Sequence, residues 1–296
     1  MKYASICFTL NGFYETLKQV TVQRMEINMK NAIHMPKSVT DTICNSFIIT
    51  TEDNKLIVID GGLSSETEYF LSYLKKVADS EKPHIDAWFL THPHYDDVNV
   101  FLEVVENYYD EFTLDKLYVN FPSRGFFVGN DEEAVEMVDE FHRLLPIFAD
   151  KMNVVTGGDE LYIGKAYVKV LYSYDFEIPG ANNSSLVFRM DMGGKSVLFT
   201  GDCEKEAGRK ILRLWKDSGW MKCDICQMSH HGQNGCDKEF YEAVSPKICL
   251  WGTPSWIWNN LNGTGPFEIL TVRGWMDELG VEKHYIMKDG THVVEL

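Results

Sequence analysis

No run in this 296-residue chain approaches the roughly 20 apolar residues that span a bilayer. A membrane-spanning helix is therefore excluded. The first twelve residues carry one basic side chain and an apolar stretch broken by polar residues, so no signal peptide is expected there. A cytoplasmic protein without a membrane partner is the expectation. Basic residues are also scarce: 28 Lys and Arg face 44 Asp and Glu, a net charge of −16. Phosphate backbones are gripped by Lys and Arg, so nucleic acid is disfavoured as a partner and a small-molecule substrate is preferred. The seven cysteines are scattered and odd in number, as reduced thiols are, and do not form a disulfide framework. Cys223 and Cys226, with Cys236, lack the second Cys-x-x-Cys of a zinc knuckle and read as buried thiols. No Pro/Gly/Ser-rich linker, repeat or low-complexity segment divides the chain, so residues 1–296 are read as one domain.

What is present is a core-forming composition, 45% apolar, with clear punctuation. Residues 20–27 alternate as a strand does. Residues 46–50 and 55–60 predict a hairpin across Glu52-Asp53-Asn54. Helical spacing covers 66–78, 98–109, 131–148, 204–215 and 267–279. Strands are expected at 116–121 and 224–229. A hairpin is expected at 185–191 and 196–200 around Gly193-Gly194, which supply positive φ cheaply. Residues 285–287 and 292–294 read as a small closing hairpin over Asp289-Gly290. Strands and helices alternate, but hairpins are frequent. That predicts mixed sheets with helices outside, not a doubly wound parallel sheet.

Three polar clusters stand at predicted strand ends. Thr91-His92-Pro93-His94-Tyr95-Asp96-Asp97 follows the apolar run 85–90. In extended backbone alternate side chains share a face, so His92, His94 and Asp96 converge on one point. Two imidazoles and two carboxylates there suit a divalent transition metal. Thr200-Gly201-Asp202 ends a second strand and Ser229-His230-His231-Gly232 a third. His34, His84, His142, His284 and His292 lie singly and read as surface or structural histidines. No serine has the Gly-x-Ser-x-Gly context of a nucleophile.

The ordered set resembles the metallo-β-lactamase superfamily from about residue 40 to about 255. Residues 57–62, ending Asp60-Gly61-Gly62, are similar to its early strand. Thr91 to Asp97 is similar to its His-x-His-x-Asp-His motif, and Thr200-Gly201-Asp202 to the strand end whose Asp bridges two metals. Asn182-Asn183-Ser184-Ser185-Leu186-Val187 and His230-His231-Gly232 resemble the ComEC-type branch, the hydrolase-like domain of bacterial DNA-uptake proteins and their standalone relatives. The resemblance implies an αββα sandwich of two mixed β-sheets flanked by helices, with the site at one edge. It implies His92, His94 and Asp202 for a first ion, and Asp96, Asp202 and His231 for a second, with Asp97 as a further candidate ligand. His230, Asp60, Asn182 and Asn183 stand behind them or toward substrate. One or two divalent ions are implied, zinc first, with manganese or iron as alternatives. The implied activity is hydrolysis of a phosphoester or ester by a metal-bound hydroxide, with Asp96 or Asp97 as proton acceptor. Two departures keep rivals open. Asp97 stands where the motif has His, and Ala181 where many members have a His ligand. One rival is a binding or regulatory protein with a degenerate metal site; another is a metal-dependent nuclease.

Overall fold

Phe47, Ile49, Ile57 and Ile59 are buried in one apolar cluster, and Ile48, Leu56 and Val58, one residue out of phase, in another. Alternation with both phases buried means a sheet covered on both faces. The computed structural model describes residues 29–260 and 268–296. The strand expected at 20–27 and the first residue of the helix expected at 267–279 lie outside the described residues.

The strands, in chain order, are β1 (Ala32–Met35), β2 (Ser46–Thr50), β3 (Leu56–Asp60), β4 (His84–Ile85), β5 (Ala87–Phe89), β6 (Thr113–Leu114), β7 (Leu117–Val119), β8 (Met152–Val154), β9 (Glu160–Ile163), β10 (Ala166–Tyr172), β11 (Val187–Met192), β12 (Lys195–Phe199), β13 (Ile225–Gln227), β14 (Ile248–Trp251), β15 (Lys283–Ile286) and β16 (His292–Glu295). They form two seven-stranded sheets, ordered β16-β1-β2-β3-β5-β7-β8 and β15-β14-β13-β12-β11-β10-β9. β4 and β6 make a small separate pair. Each large sheet is antiparallel in one half and parallel in the other: β3, β5, β7 and β8 run parallel, as do β12, β13, β14 and β15.

The inner faces share one core, in which Phe47 and Phe199 meet edge to face and Phe89 stacks on Phe188. Outside the first sheet Trp88 and Val58 pack with Phe70, Phe101 and Phe141, from the helices Thr67–Ala78, Tyr95–Asn107 and Glu132–Phe148. Outside the second, Leu198 and Cys226 pack with Ile211, Phe240 and Met276, from the helices Lys205–Trp215, Lys238–Val244 and Ile269–Glu278. The layers are helix, sheet, sheet, helix, as expected. No described helix is long and apolar enough to cross a membrane.

Two expectations are corrected. β15 and β16 do not pair as a hairpin: β15 joins β14 in the second sheet and β16 joins β1 in the first. Asp289-Gly290 is a crossing between sheets: all four residues of β15 pair with β14 and all four of β16 with β1. The helix expected at 98–109 begins at Tyr95, so Asp96 and Asp97 lie in its first turn. Acids are favoured there by the helix dipole and the free amides. The helix turn, not alternation along an extended segment, carries Asp96, and it sets an Asp96 oxygen within 4.8 Å of a His94 ring nitrogen.

Candidate metal centre

The C-terminal ends of β3, β5, β12, β13 and β14 and the residue before β2 meet at one edge of the sandwich. Asp60 ends β3 in the left-handed region, at φ 52°. Its Oδ1 accepts from the Thr91 backbone N–H at 2.8 Å and its Oδ2 from the Thr91 hydroxyl at 2.9 Å. That bond pair sets the start of the loop that carries His92 and His94. Ser229 to Gly232 leaves β13 in a tight turn, with His230 at φ 49°, His231 at φ 55° and Gly232 at φ +77°. A Cβ at Gly232 would sit 2.4 Å from the Trp251 ring, so only glycine fits there. The turn aims both imidazoles inward. The His231 Nδ1 meets the Gly252 carbonyl at 2.9 Å, which leaves Nε2 for the centre.

Asp96, Asp97, Asp202 and His231 each place one ligand atom within 4.8 Å of the others. His231 Nε2 is 3.1 Å from both Asp96 Oδ2 and Asp202 Oδ2. His92 Nε2 is 3.4 Å from Asp97 Oδ2, 4.0 Å from Asp202 Oδ2 and 3.2 Å from His94 Nδ1. Two bonds of about 2.0–2.1 Å at a tetrahedral angle hold their donors about 3.3 Å apart. Asp97 Oδ2 and His231 Nε2 are buried without a hydrogen bond of good geometry. Buried polar atoms left unpartnered are costly, and here they face one point. The nitrogen and oxygen donors suit zinc, manganese or iron, so the residues fit a divalent ion.

Charge is strained around that point. Burial drives the His92 imidazole down to about 3. Burial also opposes charge on His94, but its bond to Asp131 and that residue's charge hold it up at about 9. Burial, then the charges of Asp202, Asp96 and Asp60, push the Asp97 carboxyl well up. His231 is raised well above the usual imidazole range: burial works against it, and the carboxylates of Asp202 and Asp96 prevail. A proton on His231 supplies the positive charge between two carboxylates that an ion would supply.

The surrounding residues divide. His94 Nε2 lies 3.0 Å from Asp131 Oδ2, at the N-cap of the helix Glu132–Phe148. Ala181 is buried against Phe127 and Ala134, and its backbone N–H donates to the same Asp131 oxygen at 3.3 Å. Asn182 and Asn183 do not turn to the cluster. Their Nδ2 groups donate to Glu204 at 3.1 and 3.4 Å, and Asn183 Oδ1 accepts from the Ala207 N–H. His230 lies between, its Nε2 3.8 Å from Asp202 Oδ2 and its Nδ1 3.5 Å from Glu204 Oε1. The solitary histidines sit elsewhere: His34 on Tyr73, His84 on Thr113 and Asp115, His142 edge to face on Phe141, His284 on Trp251, His292 on the Ile286 carbonyl. The aromatic run after β14 packs inward, with Trp251 edge to face on Trp258.

Sequence reasoning passed over four residues. Asn45 Nδ2 donates to Asp97 Oδ1 and Asp202 Oδ1, both at 2.8 Å. Gln227 lies behind Asn45, Asp131 behind His94, and Glu133 accepts from the Tyr95 N–H at 2.8 Å. Gln227 alone left a signal, as an amide inside an apolar strand.

A family model described as the metallo-beta-lactamase superfamily matches residues 39–98. ComE operon protein 3 of Bacillus subtilis (strain 168) is 34% identical over 97 residues, 32% of this chain and 12% of that protein. The uncharacterized protein YcaI of Escherichia coli (strain K12) is 35% identical over 71 residues, 23% of this chain and 9% of that protein. The matched segments thus span about a tenth of those relatives. Among solved structures, the metallo-beta-lactamase fold protein YhfI from Bacillus subtilis superposes with a TM-score of 0.52 at 12% identity, covering 89% of this chain and 99% of that one. CmlA, a diiron beta-hydroxylase from Streptomyces venezuelae, superposes with a TM-score of 0.55 at 14% identity, covering 90% of this chain and 54% of that one. At such identities the likeness is one of fold.

Proposed function

We propose that the chain is a member of the metallo-β-lactamase superfamily and a metal-dependent hydrolase of phosphoesters or esters, a reading supported by the family match over residues 39–98, the similarity to ComE operon protein 3 and the shared fold. The observation that carries the reading is the convergence of Asp96, Asp97, Asp202 and His231, with two buried atoms among them lacking a hydrogen bond of good geometry. His92 Nε2, His94 Nδ1 and Asp202 would hold one ion; Asp96, Asp97, Asp202 and His231 would hold a second. When bound, a divalent ion polarises the scissile centre and lowers the pKa of a bound water. The similarity to ComE operon protein 3 supports the ComEC-type branch.

The chain's own residues divide the remaining work. The side chains of His92, Asp97 and His231 are fully buried and that of Asp202 is 2% exposed, whereas those of His94, Asp96 and His230 are 15–16% exposed. Substrate therefore meets the second group. Asp96 is the reachable carboxylate and serves as proton acceptor; Asp97, tied to Asn45 and closed to solvent, serves as a ligand. His230, between Asp202 and Glu204, is the partly exposed imidazole on the substrate side. Carboxylates line the opening, so an anionic phosphoester is repelled until an ion offsets them.

The test is reconstitution with Zn²⁺, Mn²⁺ or Fe²⁺, followed by metal analysis and a panel of phosphomonoesters, phosphodiesters and carboxylic esters. The expected result is at least one ion per chain and turnover of one ester class, abolished by Asp202→Asn. Less than about a tenth of an equivalent of every ion would sink the metal centre. Bound ion without turnover across the panel would sink the hydrolase and leave a binding protein.

A further inference from the structure

Asn45 is 1% exposed and its side chain is spent entirely within the centre. A carboxamide has two amide hydrogens. Here one goes to Asp97 Oδ1 and one to Asp202 Oδ1, each at 2.8 Å. The orientation of the amide is not free. Gln227 Nε2 donates to Asn45 Oδ1 at 3.2 Å, so a flipped Asn45 would face donor with donor and carboxylate with carbonyl. Gln227 is fixed in turn. Its Oε1 accepts from the Thr200 backbone N–H at 2.7 Å, and its Nε2, with two hydrogens shared among three acceptors, also lies 3.0 Å from the Gly201 carbonyl and 3.1 Å from that of Met228. The polarity of the relay is thus anchored in a backbone N–H that cannot reverse.

We propose that Asn45, held by Gln227, is a positioning residue that makes Asp97 and Asp202 one-oxygen ligands and so selects small transition-metal ions over calcium. The inference rests on the metal-centre reading above. The relay occupies Oδ1 of each carboxylate and leaves Oδ2 of each for an ion. Asp97 Oδ2 is the unpartnered atom, and Asp202 Oδ2 is the one that faces His231. Calcium takes six to eight oxygens and commonly uses both oxygens of a carboxylate, at 2.3–2.6 Å. A site whose carboxylates each present one fixed oxygen beside imidazoles suits zinc, manganese or iron instead. Asn45 also separates two buried carboxylates by supplying a hydrogen to each, which lowers their mutual repulsion.

The experiment measures Zn²⁺ and Ca²⁺ affinity by chelator competition on the whole chain, for the wild type, Asn45→Ala, Asn45→Ser and Gln227→Glu. Melting temperature is recorded without metal. Gln227→Glu keeps the side-chain volume while removing the donor that fixes Asn45. Asn45→Ala and Gln227→Glu are each expected to lose tenfold or more in Zn²⁺ affinity, the scale of lost support behind a ligand. Ca²⁺ affinity is expected to hold or rise, so the Zn²⁺ preference collapses. Asn45→Ser, which keeps one donor, should fall between. Zn²⁺ affinity within twofold of wild type in either variant overturns the proposal. So does an equal loss for both ions, which is what general loosening would give. A wild type that binds neither ion overturns the metal-centre reading itself, whereas unchanged variants of a metal-binding wild type overturn only this inference.

Discussion

The His94 ring gives its Nε2 to Asp131, 3.0 Å away, and turns its Nδ1 toward His92. A carboxylate behind an imidazole fixes which nitrogen faces an ion and raises its basicity. Asp131 also caps the helix Glu132–Phe148, accepting from the Ala134 N–H at 3.2 Å. The two duties separate by substitution. Asp131→Asn keeps a capping oxygen and should leave the melting temperature nearly unchanged while lowering Zn²⁺ affinity about 10–100-fold. Asp131→Ala should lose the same affinity and about 1 kcal/mol of stability. Equal Zn²⁺ affinity in wild type and Asp131→Asn would refute the pairing.

Asp202 lies near His92, His230 and His231 at once. Asp202→Asn keeps the volume but removes the charge those imidazoles share. Metal content after reconstitution should fall below about a tenth of the wild-type value, since ligand loss exceeds the 10–100-fold cost of losing support behind a ligand. Elemental analysis after gel filtration decides it; near-stoichiometric metal in the variant would show that Asp202 is dispensable.

The protonation of the centre makes metal-free stability depend on pH in a stated direction. His94 rises from 6.5 to about 9 in the folded protein, and His231 is raised too. A raised imidazole stabilises fully below its unfolded pKa and loses that contribution as pH climbs through the folded one. Chelator-treated protein should therefore lose stability between about pH 6.5 and 9, while protein loaded with Zn²⁺ should not, because an ion replaces the protons. Scanning calorimetry at pH 6.5, 7.5 and 9 checks this. A metal-free melting temperature that climbs across the window would contradict it.

Gly201, at φ +52°, is where β12 turns into Asp202. A Cβ there would lie 2.9 Å from Thr91 Oγ1 and 3.0 Å from Ser185 Oγ. Thr91 holds Asp60, and Ser185 Oγ accepts from the Asp202 N–H at 3.0 Å. Gly201→Ala thus combines left-handed strain with overpacking, a loss of about 2 kcal/mol or more. Denaturant titration should show that loss together with weakened metal binding. A stability within about 0.5 kcal/mol of wild type would mean that the turn tolerates a side chain.

The layers were legible because both phases of each central strand are apolar: residues 46–50, 56–60 and 196–199 announce strands buried on both faces. The strand-end histidines and Asp202 were legible because their residue types cluster beside those strands. Asn45 was not. A single amide before an apolar run has no spacing signal, and its role depends on Gln227 arriving from the other sheet. Asp131 was read as a helix-opening acid, which it is; its contact with His94 depends on how the helix Glu132–Phe148 crosses the helix Tyr95–Asn107. The last two strands were misjoined because local turn chemistry at Asp289-Gly290 suits a hairpin, and only the tertiary pairing with β1 and β14 decides otherwise.

That crossing has a consequence for synthesis. Ala32 pairs with Glu295, and Met287, in the crossing segment, lays its sulfur 3.3 Å from the Cys44 thiol, next to Asn45. As the nascent chain leaves the ribosome, β1 presents an unpaired edge until nearly every other strand has been made. Long-range pairings of this kind form slowly, and bare strand edges invite association with other chains. The segment from Met287 onward thus joins last, completing the first sheet and closing on Cys44, the neighbour of Asn45. Yield of metal-competent protein should therefore respond to chaperone supply more than to ion supply during expression.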